Sequence, residues 1–469
     1  MKEGDITRKI KEECGIIGVI TPSKQNYASF LVFQGLLNLQ HRGQESAGIV
    51  SFKSSQPLSH KDFGLVNNIF NKEILKKLKG KISIGHVRYS TSGKTNINNI
   101  QPLIVNLPRY GFLALAHNGH IANATLLRKK LENEGAIFQS TTDTEIIFHL
   151  MAHSSRDTLE ERLKDALNRI DGSYSLIIAS YEGIWAVKDP HGFRPLFMAK
   201  LTDGSIIFAS ETCAFKFFSN CEINELRNGD LIFVDKNGNV YEKSYVRKES
   251  RFCLFEFIYF SRPDSLYNGM TVYSYRKEMG KILAKESYVP ADLVVPVPDS
   301  GIPAAIGFSE YSGIPLEMAL MRSHYTGRTF IQPSQREREG AVKMKLLLIG
   351  DVIRNKRIIL VDDSLVRGTT AKRIAEMFRN EGAKEVHLRL SSPPIIFPCH
   401  YGVDIPSSKE LVSHFYTPDE IARILGFDSV AFLSLEGLIS ILPDKGYCGE
   451  CFGKKFVKKE ICIRELHIV

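Results

Sequence analysis

A thirteen-residue stretch, Ile358-Ile359-Leu360-Val361-Asp362-Asp363-Ser364-Leu365-Val366-Arg367-Gly368-Thr369-Thr370, constrains this chain most. Its four leading aliphatic residues read as a buried parallel strand. Two adjacent carboxylates follow at the C-terminal end of that strand, where open α/β sheets collect their ligands. Ser364, Gly368, Thr369 and Thr370 then lead into a helical stretch from Ala371 to Asn380. Such a loop offers backbone N–H groups and the positive end of a helix to a phosphate. The carboxylates repel phosphate and suit sugar hydroxyls or a hard cation such as Mg²⁺. The loop therefore fits a phosphorylated sugar with magnesium. A lone Asp-Asp is ordinarily turn chemistry; the strand before it and the helix after it set this pair apart.

At 469 residues the chain exceeds one ordinary core, so two domains are expected. No apolar run reaches the roughly 18 residues of a membrane span. The start, Met1-Lys2-Glu3-Gly4-Asp5, is charged and lacks the apolar core of a secretion signal, so a cytoplasmic protein is expected. The 61 basic residues exceed the 52 acidic ones by nine, a surplus that anionic small substrates explain as well as nucleic acid does. No nucleic-acid or membrane partner is expected. Eight cysteines in a cytosolic chain of this length should not form a disulfide framework, so some need another role.

The chain has no internal repeat. Residues 14–245 alternate short β-rich runs (82–85, 113–116, 176–179) with turns, and carry helical stretches from Ala124 to Glu134 and from Thr144 through His153 toward Ile170. This half reads as α+β or layered α/β. A charged linker, Val246 to Arg251, leads to a second half, 246–469, in which apolar strands (293–297, 358–361, 385–390) alternate with helices. That pattern argues for βαβ units and a parallel sheet. Arg322 to Lys345, polar and poor in apolar anchors, suits a mobile loop over a site.

The first half holds a series of polar clusters: Cys14-Gly15-Ile16-Ile17-Gly18, His41-Arg42-Gly43-Gln44-Glu45-Ser46-Ala47-Gly48, Gly85-His86-Val87-Arg88-Tyr89-Ser90-Thr91, Ala116-His117-Asn118-Gly119, Ser140-Thr141-Thr142-Asp143-Thr144-Glu145 and Asp189-Pro190-His191-Gly192-Phe193-Arg194-Pro195-Leu196. In order and spacing they resemble the class II glutamine amidotransferases. That resemblance implies an N-terminal-nucleophile hydrolase fold with αββα layers. It also implies hydrolysis of glutamine to glutamate and ammonia by an N-terminal cysteine. A thiolate is a strong nucleophile, and its own free α-amine, with an ordinary pKa near 7.7–8.0, serves as base. Carried over residue by residue, Cys14 is the nucleophile, and Asn118 with the Gly119 N–H forms the oxyanion hole. Arg88 takes the glutamine α-carboxylate and Asp143 its α-ammonium. Because Cys14 is not the first residue, residues 1–13 are expected to be a propeptide ending in Glu12-Glu13. His120, after Asn118-Gly119, departs from the family pattern.

The thirteen-residue stretch, in turn, resembles the phosphoribosyltransferases of type I that bind phosphoribosyl pyrophosphate (PRPP). On that resemblance Asp362 and Asp363 handle the ribose hydroxyls and Mg²⁺, with Ser300 as a third magnesium position. Ser364, Arg367, Gly368, Thr369 and Thr370 cradle the 5-phosphate. Arg328, Gln332 and Lys345 reach toward the pyrophosphate.

Cys448-Gly449-Glu450-Cys451 is a CxxC motif, ambiguous by itself among zinc, redox and cluster roles. With Cys253 and Cys399 it resembles the branch of one family in which four such cysteines hold a structural [4Fe–4S] centre. Four thiolates also suit zinc. Cys213, Cys221 and Cys462 read as structural or incidental.

The succession of the two halves resembles the glutamine-dependent PRPP amidotransferases, which open purine synthesis. That family implies ammonia passing internally to C1 of PRPP, a homotetramer or dimer, and inhibition by purine nucleotides. Other class II amidotransferases share the first half but need a sugar-isomerase or ATP-pyrophosphatase second half, against which Asp362 to Thr370 argues. A PRPP-sensing regulator predicts loss of Cys14 or Arg88, and both are present.

Overall fold

Period-two alternation along the first-half strands sends successive side chains to opposite faces, both of them apolar. The computed structural model describes residues 14–22, 26–89, 96–323, 346–405 and 407–457. The chain divides into two units, one holding 14–253 with 399–404, the other 254–398 with 405–457, within the described residues.

The first unit contains two sheets whose strand pairs are antiparallel. One runs in the order Glu222–Glu225, Phe197–Lys200, Ile206–Ala209, Gly15–Ile20, Ile82–Arg88, Ser46–Phe52, Pro57–Phe63. The other runs Val240–Ser244, Asp230–Asp235, Gly183–Lys188, Gly172–Ser180, Gly111–Ile121, Leu103–Leu107. Ile16, Ile20 and Ile84 of the first sheet share one core with Ala114, Ala116, Ile177 and Ile184 of the second. On the far side of the second sheet, Leu113, Leu115 and Ile178 meet Ile146, Ile147 and Leu150 of helix Glu145–His153 and Leu163 and Leu167 of helix Leu159–Arg169. On the far side of the first, Val32 and Leu36 of helix Ala28–Asn38 lie against Gly85. Period-two side-chain alternation thus feeds one face of each sheet to the other sheet and one face to helices. The result is the αββα layering expected above.

The helix expected to run from Thr144 toward Ile170 is two helices. The first ends at His153 and Thr158 starts the second: its hydroxyl accepts from Glu161 N at 3.2 Å while Glu161 Oε2 takes Thr158 N at 3.2 Å. This reciprocal capping box starts a new helix more favourably than an old one continues.

The second unit is built on a four-stranded parallel sheet ordered Leu293–Pro296, Arg357–Asp362, Glu385–Leu390, Ser429–Phe432. Ile358 and Leu360 pack with Ile374, Ala375 and Phe378 of helix Thr369–Asn380 and with Ile421 and Leu425 of helix Pro418–Leu425. Ile359 and Val361, on the opposite face, are equally buried, which explains the unbroken aliphatic run. The hairpin Leu320–Arg322 with Leu346–Leu348 flanks the polar segment 324–345, which lies outside the described residues. Among the described residues no helix is long and apolar enough to cross a membrane.

Candidate active sites

Strand pairing brings the first-half clusters to one end of the first unit. Gly15 pairs with Val87 and Ser46 with Arg88, so Cys14 and Arg88 stand at the same end of adjacent strands. The Cys14 thiol points to the Tyr89 carbonyl at 3.9 Å, and the Cys14 carbonyl accepts from Arg42 Nε at 3.1 Å. Arg42, wholly buried, also bonds Glu211 Oε1 at 2.5 Å, which fixes the backbone leading into the first strand.

Alternation places Arg88 with Ile82 and Ile84, and Asn118 with Ala114 and Ala116, on the two faces that look at each other between the sheets. The sheets are stitched there by the His86 ring, whose Nε2 donates to the His117 carbonyl at 3.1 Å. Burial, reinforced by the Arg88 charge, pushes the His86 pKa down to about 3, so this ring is a neutral strut. Asn118 is wholly buried, and neither its Nδ2 nor its Oδ1 has a hydrogen-bond partner among the described residues. A buried amide left so is costly unless something else meets it. Gly119 follows at φ +145°, and a Cβ there would collide with the Ser173 carbonyl. Only glycine fits.

Asp143 joins the same strand end: its Oδ2 accepts from Ile121 N at 2.8 Å. The loop bearing it is braced by Glu145, which accepts from Gln139 N at 2.8 Å and Ser140 N at 2.7 Å. Burial alone would raise the Glu145 pKa; the His149 ring and these donors outweigh it and hold the carboxyl at about 2. Gln101 ties the loop to the Asn118 strand, accepting from His117 N at 2.7 Å and donating to Thr144 Oγ1 at 3.1 Å. Sequence reasoning assigned no role to Gln101, Thr144, Glu145, His86 or His117. Four of them lay inside the quoted clusters; Gln101 carried no local signal.

In the second unit the loop after strand Arg357–Asp362 forms a pocket lined by Asp362, Asp363, Ser364, Arg367, Gly368, Thr369 and Thr370, with Tyr259 added from another part of the chain. Asp362 Oδ1 accepts from Asp363 N at 2.9 Å, and Asp363 Oδ1 from Ser364 Oγ at 2.6 Å. Asp363 Oδ2 is buried without a partner among the described residues. An acceptor oxygen left this way suits a hydroxyl or a cation. Gly368 adopts φ +78°, swinging the chain into helix Thr369–Asn380. Arg367 Nη2 pairs with Glu410 at 2.5 Å, while its Nε and Nη1 have no partner among the described residues. Ser300 precedes Gly301, where a Cβ would come within 3.2 Å of the Asp362 Cα, so its turn lies beside the acid pair. Arg328, Gln332 and Lys345 lie outside the described residues.

His41, Glu211 and Cys213 form a group of potential metal ligands whose donor atoms lie within 4.8 Å of one another. The Glu211 carboxylate is already shared by Arg42 and, at 2.8 Å, by His41 Nε2. A buried guanidinium already neutralises this carboxylate, so the group reads as a structural ion pair. Cys253 and Cys399 belong to the first unit, Cys448 and Cys451 to the second, and all four are free of disulfides. The Cys399 sulfur accepts from the Tyr401 N–H at 3.2 Å.

Residues 86–217 match the family model of a glutamine amidotransferase domain. Over 445 residues the chain is 44% identical to the amidophosphoribosyltransferase of Bacillus subtilis (strain 168), covering 94% of this chain and 93% of that one. This chain belongs to the amidophosphoribosyltransferase family. A solved structure described as the allosteric regulatory enzyme of purine biosynthesis superposes with TM-score 0.88 at 43% identity, covering 94% of this chain and 96% of its own. A second, glutamine PRPP amidotransferase from B. subtilis complexed with ADP and GMP, gives TM-score 0.87 at 42% identity, with 94% and 97% covered. Amidophosphoribosyltransferase membership therefore extends over both units, and the rival second halves are excluded.

Proposed function

We propose the residue roles by which this chain carries out the amidophosphoribosyltransferase reaction. Glutamine, PRPP and water give 5-phosphoribosylamine, glutamate and pyrophosphate, the committed step of purine synthesis. The observation that carries the assignment is Asn118, a wholly buried amide left without a partner beside a glycine that no other residue can replace. Those are the donors a tetrahedral oxyanion needs, waiting for charge that exists only during amide hydrolysis.

The Cys14 thiolate attacks the glutamine amide carbon, and the carbonyl oxygen becomes an oxyanion held by Asn118 Nδ2 and Gly119 N–H. Collapse expels ammonia, which takes its proton from the protonated α-amine of Cys14, and water then hydrolyses the thioester to glutamate. This role requires a free amine at Cys14, hence removal of residues 1–13. Arg88 holds the substrate α-carboxylate and Asp143 its α-ammonium. Ammonia is delivered to C1 of PRPP, where it displaces pyrophosphate.

In the second unit Ser364, Arg367, Gly368, Thr369 and Thr370 hold the 5-phosphate, Asp362 and Asp363 the ribose hydroxyls, and Lys345 the pyrophosphate. Asp362, Asp363 and Ser300 would hold Mg²⁺, which neutralises charge on the leaving pyrophosphate. Asn118→Ala should lower glutaminase kcat by roughly 10²–10³-fold with little change in KM. Steady-state kinetics check it; an unchanged kcat would remove the oxyanion assignment.

Cys253, Cys399, Cys448 and Cys451 would hold a structural [4Fe–4S] centre. Four cysteines outside any disulfide, one of them accepting a backbone N–H, suit a thiolate-bound cluster, whose sulfurs commonly accept such bonds. Cys448→Ser should lose iron and solubility, measured by metal analysis and sedimentation; an iron-free, fully stable wild-type protein would point to zinc or to no metal. The B. subtilis relative is complexed with ADP and GMP, which supports purine nucleotides as ligands of this chain, and the family resemblance implies that they inhibit it. A cytoplasmic homotetramer or dimer completes the reading.

A further inference from the structure

We infer that His120 shares the glutamine α-ammonium subsite with Asp143, and that a proton on His120 competes there with the substrate. The inference rests on the role given to Asp143 above. His120 Nδ1 lies 3.5 Å from Asp143 Oδ2, the oxygen that also accepts the Ile121 amide. The other oxygen of Asp143 faces the Thr144 hydroxyl at 3.4 Å and His117 Nδ1 at 3.9 Å. Two imidazoles therefore flank this acid, and they differ in setting. The His117 side chain is 2% exposed, its Nδ1 engaged with Thr144 Oγ1 at 3.0 Å, and burial pushes its pKa down, so it stays neutral. The His120 side chain is 38% exposed and open to solvent protons.

His120 is also held from behind. Gly402 lies against it at φ +98°, so close that a Cβ there would stand 2.9 Å from the His120 Cβ. The neighbouring Tyr401 carbonyl is tied down by Ser173 Oγ at 2.6 Å and by the Arg194 guanidinium, and the Tyr401 ring stacks on Phe193 at 4.3 Å. Across the sheet His120 pairs with uncharged Ser173. Among the described residues, the contacts place Asp143, His117, Arg194, which is engaged at Tyr401, and Glu145, which is engaged at Gln139 and Ser140, around the subsite, and the segment 399–404 packed against His120 also carries Cys399, His400 and Asp404.

A neutral imidazole at this distance adds a lone pair to the acid that receives the ammonium. A protonated one becomes a cation beside Asp143, neutralises it and repels the ammonium. A proton taken up by His120, 3.5 Å from Asp143 Oδ2, would therefore weaken affinity for an α-ammonium ligand, and that affinity should depend on pH. A merely structural histidine would give no such dependence.

The test uses two competitive inhibitors of glutamine hydrolysis, L-glutamate and glutarate, which differ only in the α-ammonium. Their Ki values are measured from pH 6 to 8.5 in wild-type protein and in His120→Asn, His120→Gln and Asp143→Asn. The ratio of glutarate Ki to glutamate Ki isolates the subsite and cancels titration of Cys14. The ratio should rise several-fold with pH in the wild type and stay flat in both His120 variants. A His120 variant with the wild-type slope would overturn the inference. If Asp143→Asn leaves the ratio unchanged, the Asp143 assignment fails; if Asp143→Asn collapses the ratio while the His120 variants keep the slope, only the His120 inference fails.

Discussion

Cys14→Ala is expected to lose glutamine-dependent synthesis of phosphoribosylamine by roughly 10³-fold or more, while synthesis from ammonium chloride at alkaline pH survives. The asymmetry follows from where the groups sit. Cys14 stands at the end of the first strand of the first unit, held there by Arg42 and the Val87 pairing. The acid pair, the glycine turn and the open helix N-terminus belong to the second unit. Free ammonia supplies what the first site makes, so only the nitrogen source changes. Alanine removes the sulfur without adding bulk and leaves the backbone bond to Arg42 in place. Parallel assays with glutamine and with ammonia measure the split; equal loss with both would show that Cys14 supports the fold or the second site rather than the chemistry.

The mirror-image expectation concerns Asp363→Asn. Asparagine preserves the acceptor that Ser364 Oγ uses but replaces one carboxylate oxygen by a donor and removes a charge. The free oxygen, buried and without a partner among the described residues, is the one a ribose hydroxyl or Mg²⁺ would meet. Losing a charge-assisted bond in such a site costs about 3 kcal/mol, roughly 10²-fold. PRPP-dependent synthesis should fall by that factor with glutamine and with ammonia alike. Glutamate release in the absence of PRPP should persist. Isothermal titration with PRPP and Mg²⁺ separates weakened binding from slowed transfer. Wild-type PRPP affinity in this variant would move the role to Asp362 alone.

The second candidate site was legible as one pocket because its residues are contiguous. Strand, acid pair, glycine and helix start occupy consecutive positions, and each residue type has a local physical reason to be there. Tyr259 escaped because it reaches that pocket from more than a hundred positions away. The first site was legible only as scattered clusters: Cys14, Arg88, Asn118 and Asp143 converge through strand register, which a single sequence does not display. Their roles came from family resemblance, and the alternation that turns Arg88 and Asn118 toward each other emerged from the paired sheets. Gln101 and Glu145 brace the site by hydrogen bonds to backbone N–H groups and to the Thr144 and Ser140 hydroxyls, a job that leaves no compositional trace. The two-helix break at Thr158 did have a signal, threonine followed three residues later by Glu161, that apolar periodicity overrode. His120 was visible as a departure from pattern, yet its meaning depended on Asp143 arriving 3.5 Å away.

The measurement that tests the central claim most directly is glutamate release from glutamine, made anaerobically with and without PRPP and Mg²⁺. Coupled sites in one chain predict strong stimulation by PRPP with Mg²⁺, lost in Asp363→Asn and absent with either addition alone. Release that is vigorous but indifferent to PRPP would leave the glutaminase standing and contradict the assignment of the second site.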